Sequence, residues 1–404
     1  MDLGMFKTLL INSIASIMAG FAAHHFMNQF IPLFIQREFH GKDQCKTDKR
    51  LVVEPMGVVT AAVYLIFEFA FIPVPFYEWI GEELKFSETS GTGNPFPYIR
   101  LLSLLAGLIS ICTAILLGFA DDMLDLRWRH KLVFPTLSSM PLIMVYIISR
   151  NATAMRLPTF LEKLLGTSYI DLGPLFYIYI VMLVIFCMNA INIIAGINGV
   201  EVGQGVVIAS SVAVFNFIQL FRLDHASVWH HGLSLCILLP FISTSLALYM
   251  LNKYPAKVFV GDTYCYWAGM TLAVVAILNF LYSTPQLFNL VPCPRHRLPK
   301  LNPETGMLEM STTEFEWDKL KRPGKLCVNV LRILRSIHYR EFEKDGKLWV
   351  EINNLTILNF ILKVCGPTYE YELTNRFLLI QLAGSVIAFF CRFYLSSLLY
   401  ETVH

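Results

Sequence analysis

The sequence predicts an all-α polytopic membrane protein of about nine to ten transmembrane helices, with a small cytosolic α+β insertion before the last helix. Three observations predict it. Of 404 residues, 55% are hydrophobic and 15% charged, whereas soluble domains carry about 25% charged residues. The apolar residues gather in runs of about twenty, the length a helix needs to cross a hydrocarbon core. One long polar stretch, residues 292–375, precedes the final run. The formal net charge of +2 points away from a nucleic-acid partner. Nine scattered cysteines with no CxxC pair read as inert thiols rather than a metal or disulfide frame.

The apolar runs place spans near residues 9–35, 56–76, 100–120, 132–149, 172–194, 202–221, 232–251, 258–278 and 376–400, with a weak run over 279–290. The first is too long for a signal-peptide core and reads as a span. Lys and Arg concentrate in the loops at 36–55, 121–131 and 252–257. By the positive-inside rule these loops are cytosolic and the N-terminus is lumenal. The sequon at Asn151 then lies outside and the one at Asn354 inside. Three units follow: a transmembrane bundle over 1–291, an α+β insertion over 292–375 and a final helix over 376–404. Within the insertion the pattern predicts a hairpin around Asn302–Gly306. A helix follows over about Lys325–Ser336, and then two strands on either side of Lys344–Gly346.

The chemistry-bearing residues sit at span ends on one face. Asp121 and Asp122 close an apolar run. At ~6 Å and an effective dielectric of ~20 their repulsion is about 3 kcal/mol, so a cation or a shared proton must offset it. Arg127, Arg129, His130 and Lys131 follow closely. Asn189 and Asn192, three residues apart, share a helix face, and Asn198 and Glu201 follow a Gly-containing turn. Asp262 opens another span. Asp121, Asp122, Asn192 and Asp262 offer only hard oxygen ligands, which suit Mg²⁺ or Mn²⁺ and not zinc. Arg295, His296 and Arg297 sit on a Pro-flanked loop, where Arg forks match phosphate oxygens. Asp43, Gln44 and Glu54 lie in the first cytosolic loop. Residues alone leave two classes open: phosphoryl transfer to a lipid, or a secondary transporter. A transporter would place such groups near the midplane.

Five stretches, in this order, resemble the polyisoprenyl-phosphate N-acetylhexosamine-1-phosphate transferases. They are Gly118-Phe-Ala-Asp-Asp122, Leu126-Arg-Trp-Arg-His-Lys131, Asn189-Ala-Ile-Asn-Ile-Ile-Ala-Gly-Ile-Asn-Gly199, Val258-Phe-Val-Gly-Asp262 and Pro292-Cys-Pro-Arg-His-Arg297. The Arg-His-Arg triplet resembles the eukaryotic branch. The resemblance implies transfer of GlcNAc-1-phosphate from UDP-GlcNAc to dolichyl phosphate at the endoplasmic reticulum membrane, within the lipid bilayer. A homodimer is a further expectation. It also implies that Asn192 and Asp262 hold Mg²⁺, that Asp121 and Asp122 line the reaction centre, and that Lys131 meets dolichyl phosphate. Asn198, Phe259, Glu54 and Asp43, with Asn189 and Gln44, would line the nucleotide pocket. Arg295, His296 and Arg297 would bind GlcNAc and diphosphate oxygens.

Three departures stand out. Only 33 residues separate Asp262 from Arg295, whereas two crossings need about forty. Against the family pattern, roughly sixteen residues are missing after Leu278. A catalytically impaired variant is the alternative this raises. Asp125 replaces an Asn, and Lys42 and Gln44 replace Gln and Leu.

Overall fold

The computed structural model describes residues 3–396, apart from 44, 47–50, 78, 81–95, 125, 127–129, 150–152, 158, 160–161, 164–165, 193–195, 223–224, 273–290, 293–296 and 345. Gln44, Asp125, Asn151, the shortened span after Leu272, Arg295 and His296 therefore lie outside the described residues.

Helix α1 (Leu3–Gln36) leads into a short hairpin, β1 (His40–Lys42) and β2 (Leu51–Val53), and then α2 (Gly57–Phe71). Next come α3 (Tyr98–Leu124), α4 (His130–Ile148), the hairpin β3 (Ala154–Arg156) and β4 (Tyr169–Asp171), α5 (Pro174–Asn192), α6 (Val200–Arg222), α7 (His225–Asn252) and α8 (Gly261–Leu272). Among the described residues seven helices are long and apolar enough to cross a membrane, and Val133–Ile148 is a shorter apolar one. The chain is thus a polytopic membrane protein. The count falls below nine because α4 is short and only twelve residues of α8 are described.

The spans pack around α8. It lies against α3, α5 and α2, while α7 packs on α1 and α6. Tyr64, Phe241, Tyr264 and Trp267 interlock in the centre, with ring centroids 5.0–6.4 Å apart. Many apolar side chains stay exposed along α1 and α11 (Glu370–Phe390), as expected for helices facing lipid rather than water.

The polar stretch forms a second core. A two-strand pairing of β5 (Lys300–Leu301) with β6 (Leu308–Glu309) precedes an antiparallel sheet ordered β7 (Thr312–Glu316), β9 (Lys347–Asn353), β8 (Tyr339–Lys344). Helix α9 (Arg322–Ile333) crosses between β7 and β8 and buries Val328 with Phe315, Val350 and Ile352. The helix starts three residues before the sequence places it, because Pro323 suits a first turn that needs no N–H there. Thr356 caps α10 (Ile357–Cys365), and Gly366 ends it at φ +79°. This unit does not stand apart from the bundle. Leu308, Leu358, Ile361 and Leu362 share one core with Cys45, Ile197 and Val200.

Candidate active site

Two neighbouring clusters hold the candidate residues. The first forms where α3, α4 and α8 end together. Asp121 is 2% exposed. Its Oδ2 receives the Lys131 ammonium at 2.9 Å and the Tyr266 hydroxyl at 3.2 Å, and its Oδ1 accepts the Leu126 N–H. Lys131 also reaches Asp262 Oδ2 at 2.8 Å. One ammonium thus bridges two carboxylates from different helices.

Asp122 does something else. Its carboxylate accepts the backbone N–H groups of Asp262 at 2.6 Å and Thr263 at 2.9 Å, and also the Thr263 hydroxyl. These are orphan donors of the first turn of α8. The cap of α8 is thus supplied in trans by Asp122. The adjacent aspartates therefore turn to different partners, and their mutual repulsion is met by one ammonium and one helix N-terminus. Gly261 is required between them: its φ is +74°, and a Cβ there would lie 2.7 Å from the Asp122 carboxylate.

The first hairpin brings Glu54 to this place. Residues 53–57 run beside 258–260, with Phe259 N–H donating to Val53 O, Met56 N–H to Phe259 O and Gly57 N–H to Val260 O. A cavity of about 380 Å³ opens here, lined by Glu38, His40, Glu54, Asp121, Asp122 and Asp262 among others. Burial, and next the Asp262 charge, hold the Glu54 carboxyl above the usual carboxylate range. Phe259 packs beside Gly41 on the hairpin.

Asn189 and Asn192 join from α5. Asn189 Nδ2 donates to Ile185 O at 2.8 Å and Lys131 O at 3.4 Å. It therefore fastens the start of α4, and with it Lys131. Asn192 is the half-buried last residue of α5, one turn further toward the same end.

Five carboxylates line this cavity, and Lys131 bridges two of them. That excess of hard, negatively charged oxygen fits a divalent cation such as Mg²⁺ or Mn²⁺. It would also repel a diphosphate that arrived without one.

The second cluster centres on Asn198, which is 2% exposed. Its Nδ2 donates to Asp43 Oδ2 at 3.1 Å and to Glu370 Oε1. Its Oδ1 accepts Lys46 Nζ at 3.3 Å and Ala256 N–H at 2.8 Å. Its backbone N–H goes to Glu370 Oε1 at 2.9 Å, and its carbonyl accepts Thr374 Oγ1 at 2.9 Å. Every polar atom of Asn198 is committed inside the protein. The residue assigned from the sequence to nucleotide contact is thus engaged with Asp43, Lys46, Ala256 and Glu370. Asp43 is tied here too, by a Lys46 ion pair at 2.5 Å. Asp43 is not among the described residues that line the Glu54 cavity, with which the sequence reading grouped it.

Arg297 is half-buried, and its carbonyl accepts Asn359 Nδ2 at 2.8 Å and Ser311 Oγ at 3.2 Å. The next residue, Leu298, packs on Gly196. The insertion therefore carries the Arg297 segment to the 196–199 turn, where Glu201 accepts the Gly196 N–H at 2.7 Å.

Sequence reasoning missed Glu370, Tyr266 and Thr263. Glu370 is 5% exposed, and its Oε2 has no hydrogen-bond partner among the described residues. Its only signal was a carboxylate opening an apolar run. Cys45, also unflagged, is buried, and burial with Glu370 and Asp43 pushes its thiol up.

Residues 104–279 match the model of glycosyl transferase family 4. The chain is similar over nearly its whole length to UDP-N-acetylglucosamine–dolichyl-phosphate N-acetylglucosaminephosphotransferases. The Schizosaccharomyces pombe protein is 39% identical, covering 97% of this chain and 93% of its own. The Saccharomyces cerevisiae protein is 36% identical over 96% and 92%. The Dictyostelium discoideum protein is 36% identical over 88% and 81%. The chain belongs to the UDP-N-acetylglucosamine–dolichyl-phosphate N-acetylglucosaminephosphotransferase family.

Proposed function

We propose that this protein transfers GlcNAc-1-phosphate from UDP-GlcNAc to dolichyl phosphate, giving GlcNAc-diphosphodolichol and UMP. The reading puts it in the endoplasmic reticulum membrane, with the site on the cytosolic face and the N-terminus in the lumen. One observation carries it beyond the family likeness. Lys131, Asp121 and Asp262 converge at the ends of three helices, beside a cavity lined by carboxylates.

The acceptor is already an anion near neutral pH, so the reaction needs alignment and charge neutralisation more than a strong base. Its phosphate oxygen attacks the β-phosphorus in line, and UMP leaves with the electron pair of the broken P–O bond. Lys131 is the cation that orients the attacking phosphate. Asp121 and the Tyr266 hydroxyl hold that ammonium at the cavity edge. Asp122 fixes the start of α8, and so the position of Asp262. Asn192 and Asp262 would hold Mg²⁺, which when bound supplies charge neutralisation on the diphosphate. Asn189 positions Lys131 from below. Glu54 and Phe259 border the nucleotide side. Asp43 and Asn198 shape that pocket from behind, with Gln44 on the same loop. Arg295, His296 and Arg297 would bind the GlcNAc and diphosphate oxygens.

The test is transfer of radiolabelled GlcNAc-phosphate from UDP-GlcNAc to dolichyl phosphate in membranes, with and without Mg²⁺. Product that forms only with both substrates and the cation is the expected result. Labelled UMP-free sugar, or no lipid product under any condition, refutes it.

A further inference from the structure

Helix α9 has two apolar faces. One, through Gly324 and Val328, is buried against the sheet. The other is open. Leu326, Val330, Ile333 and Leu334 are 65%, 45%, 79% and 65% exposed. Their spacing puts them on one stripe, with Arg322 a turn before Leu326. A water-facing helix has no use for such a stripe.

The charge around it has one sign. Between residues 319 and 335 there are six basic residues and no acidic one. Three pair with carboxylates of the neighbouring segments: Lys319 with Glu316, Lys325 with Asp318 and Arg332 with Glu341. Lys321, Arg322 and Arg335 have no carboxylate partner among the described residues. An exposed apolar stripe flanked by Lys and Arg is the composition of a helix lying in a membrane interface.

The fold also sets the height of this helix. Lys363, in the last turn of α10, donates to the carbonyl of Arg335 just past the end of α9. Only residues 366–369 separate α10 from the last span. At that junction Tyr369 stacks on Tyr371, which contacts Tyr254, a cluster typical of the headgroup level. Val364, in the last turn of α10, is also exposed.

We infer that α9 is an interfacial anchor. It lays Leu326, Val330, Ile333 and Leu334 into the surface of the membrane that the chain already spans, with Arg322 and Arg335 on anionic headgroups. The inference does not depend on the reaction proposed above. Its consequence is that the unit carrying Arg297 meets the bilayer directly, in addition to its attachment through α11 and its shared core with the bundle.

Photocrosslinking of the full-length chain tests this. Ile333 is replaced by p-benzoylphenylalanine, and the protein is placed in phosphatidylcholine nanodiscs with or without phosphatidylserine. Lipid adducts are then read by mass spectrometry. The same probe at Glu304, in the exposed turn between β5 and β6, is the control. We expect adducts at 333 and not at 304, in higher yield with phosphatidylserine. In an Arg322→Gln, Arg335→Gln background that preference should fall about fivefold per charge. Adducts to a second copy of the chain, no lipid adducts, or equal yields in both discs would overturn the proposal. Because all the altered side chains are exposed, misfolding does not mask the outcome.

Discussion

The two clusters of the site use similar residues in opposite ways. Around Asp121, Asp122 and Asp262, carboxylates outnumber cations, and Lys131 and Asp262 stay partly exposed to a cavity. In the other cluster the four polar atoms of Asn198 make six hydrogen bonds within the protein, and the residue is almost fully buried. An unbalanced, open cluster can exchange partners for a substrate or an ion. A saturated, closed one holds backbone in place. The same chain therefore keeps its exchangeable charges apart from its saturated ones.

The largest expected effect lies in the open cluster. Asp262→Asn should lower transfer about 10²–10³-fold, the usual cost of losing one preorganised charge at a reaction centre, and should raise the Mg²⁺ needed for half-activity. Chelation with EDTA should abolish wild-type transfer, and added Mg²⁺ should restore it. A full Mg²⁺ response retained in the Asp262→Asn protein breaks the distinction between the clusters.

Next is the clasp on Lys131. Lys131→Met leaves Asp121 buried without its cation, at a cost of about 3 kcal/mol in stability. Adding Asp121→Asn to it should recover most of the lost melting temperature but none of the activity. If the double variant is no more stable than the single one, the clasp is not what holds these helix ends.

In the closed cluster the effect should fall on binding. Glu370→Ala removes two hydrogen bonds to Asn198 and should raise KM for UDP-GlcNAc roughly tenfold with little change in kcat, the scale of one charged hydrogen bond. Glu370→Gln keeps an acceptor and should stay near wild type. A fall in kcat instead would place Glu370 in the reaction itself.

The smallest effect concerns Glu54. Its carboxyl is held above its ordinary range in the folded state. The folded protein therefore binds the proton more tightly than the unfolded chain. Stability is unaffected below the unfolded value and falls as pH rises through the folded one. Glu54→Gln should melt at the same temperature as wild type in acid and increasingly above it toward neutral and alkaline pH. Parallel melting curves at every pH would remove Glu54 from the charged cavity.

Much of this was legible in the sequence. Runs of apolar residues located α1, α2, α3, α5, α6, α7 and α11 because burial in lipid needs length and composition, which are local properties. The strand pair around Lys344–Gly346 was legible for the same reason: its turn is local. The motif residues Asp121, Asp122, Lys131, Asn189, Asn192 and Asp262 were visible as polar groups at apolar ends. Glu370 was not, since its partner Asn198 lies 172 residues away.

The sequence by itself determined that the chain crosses the membrane many times and carries hard-oxygen and cationic side chains at the span ends. Only the tertiary structure decided which partner each one takes. Asp121 and Asp122 are neighbours in the chain, yet one clasps Lys131 and the other caps α8. The reason is physical: a helix turns each successive side chain by about 100°, so adjacent carboxylates face different helices. What offsets their charge is set by how those helices pack, not by what lies next to them in the chain.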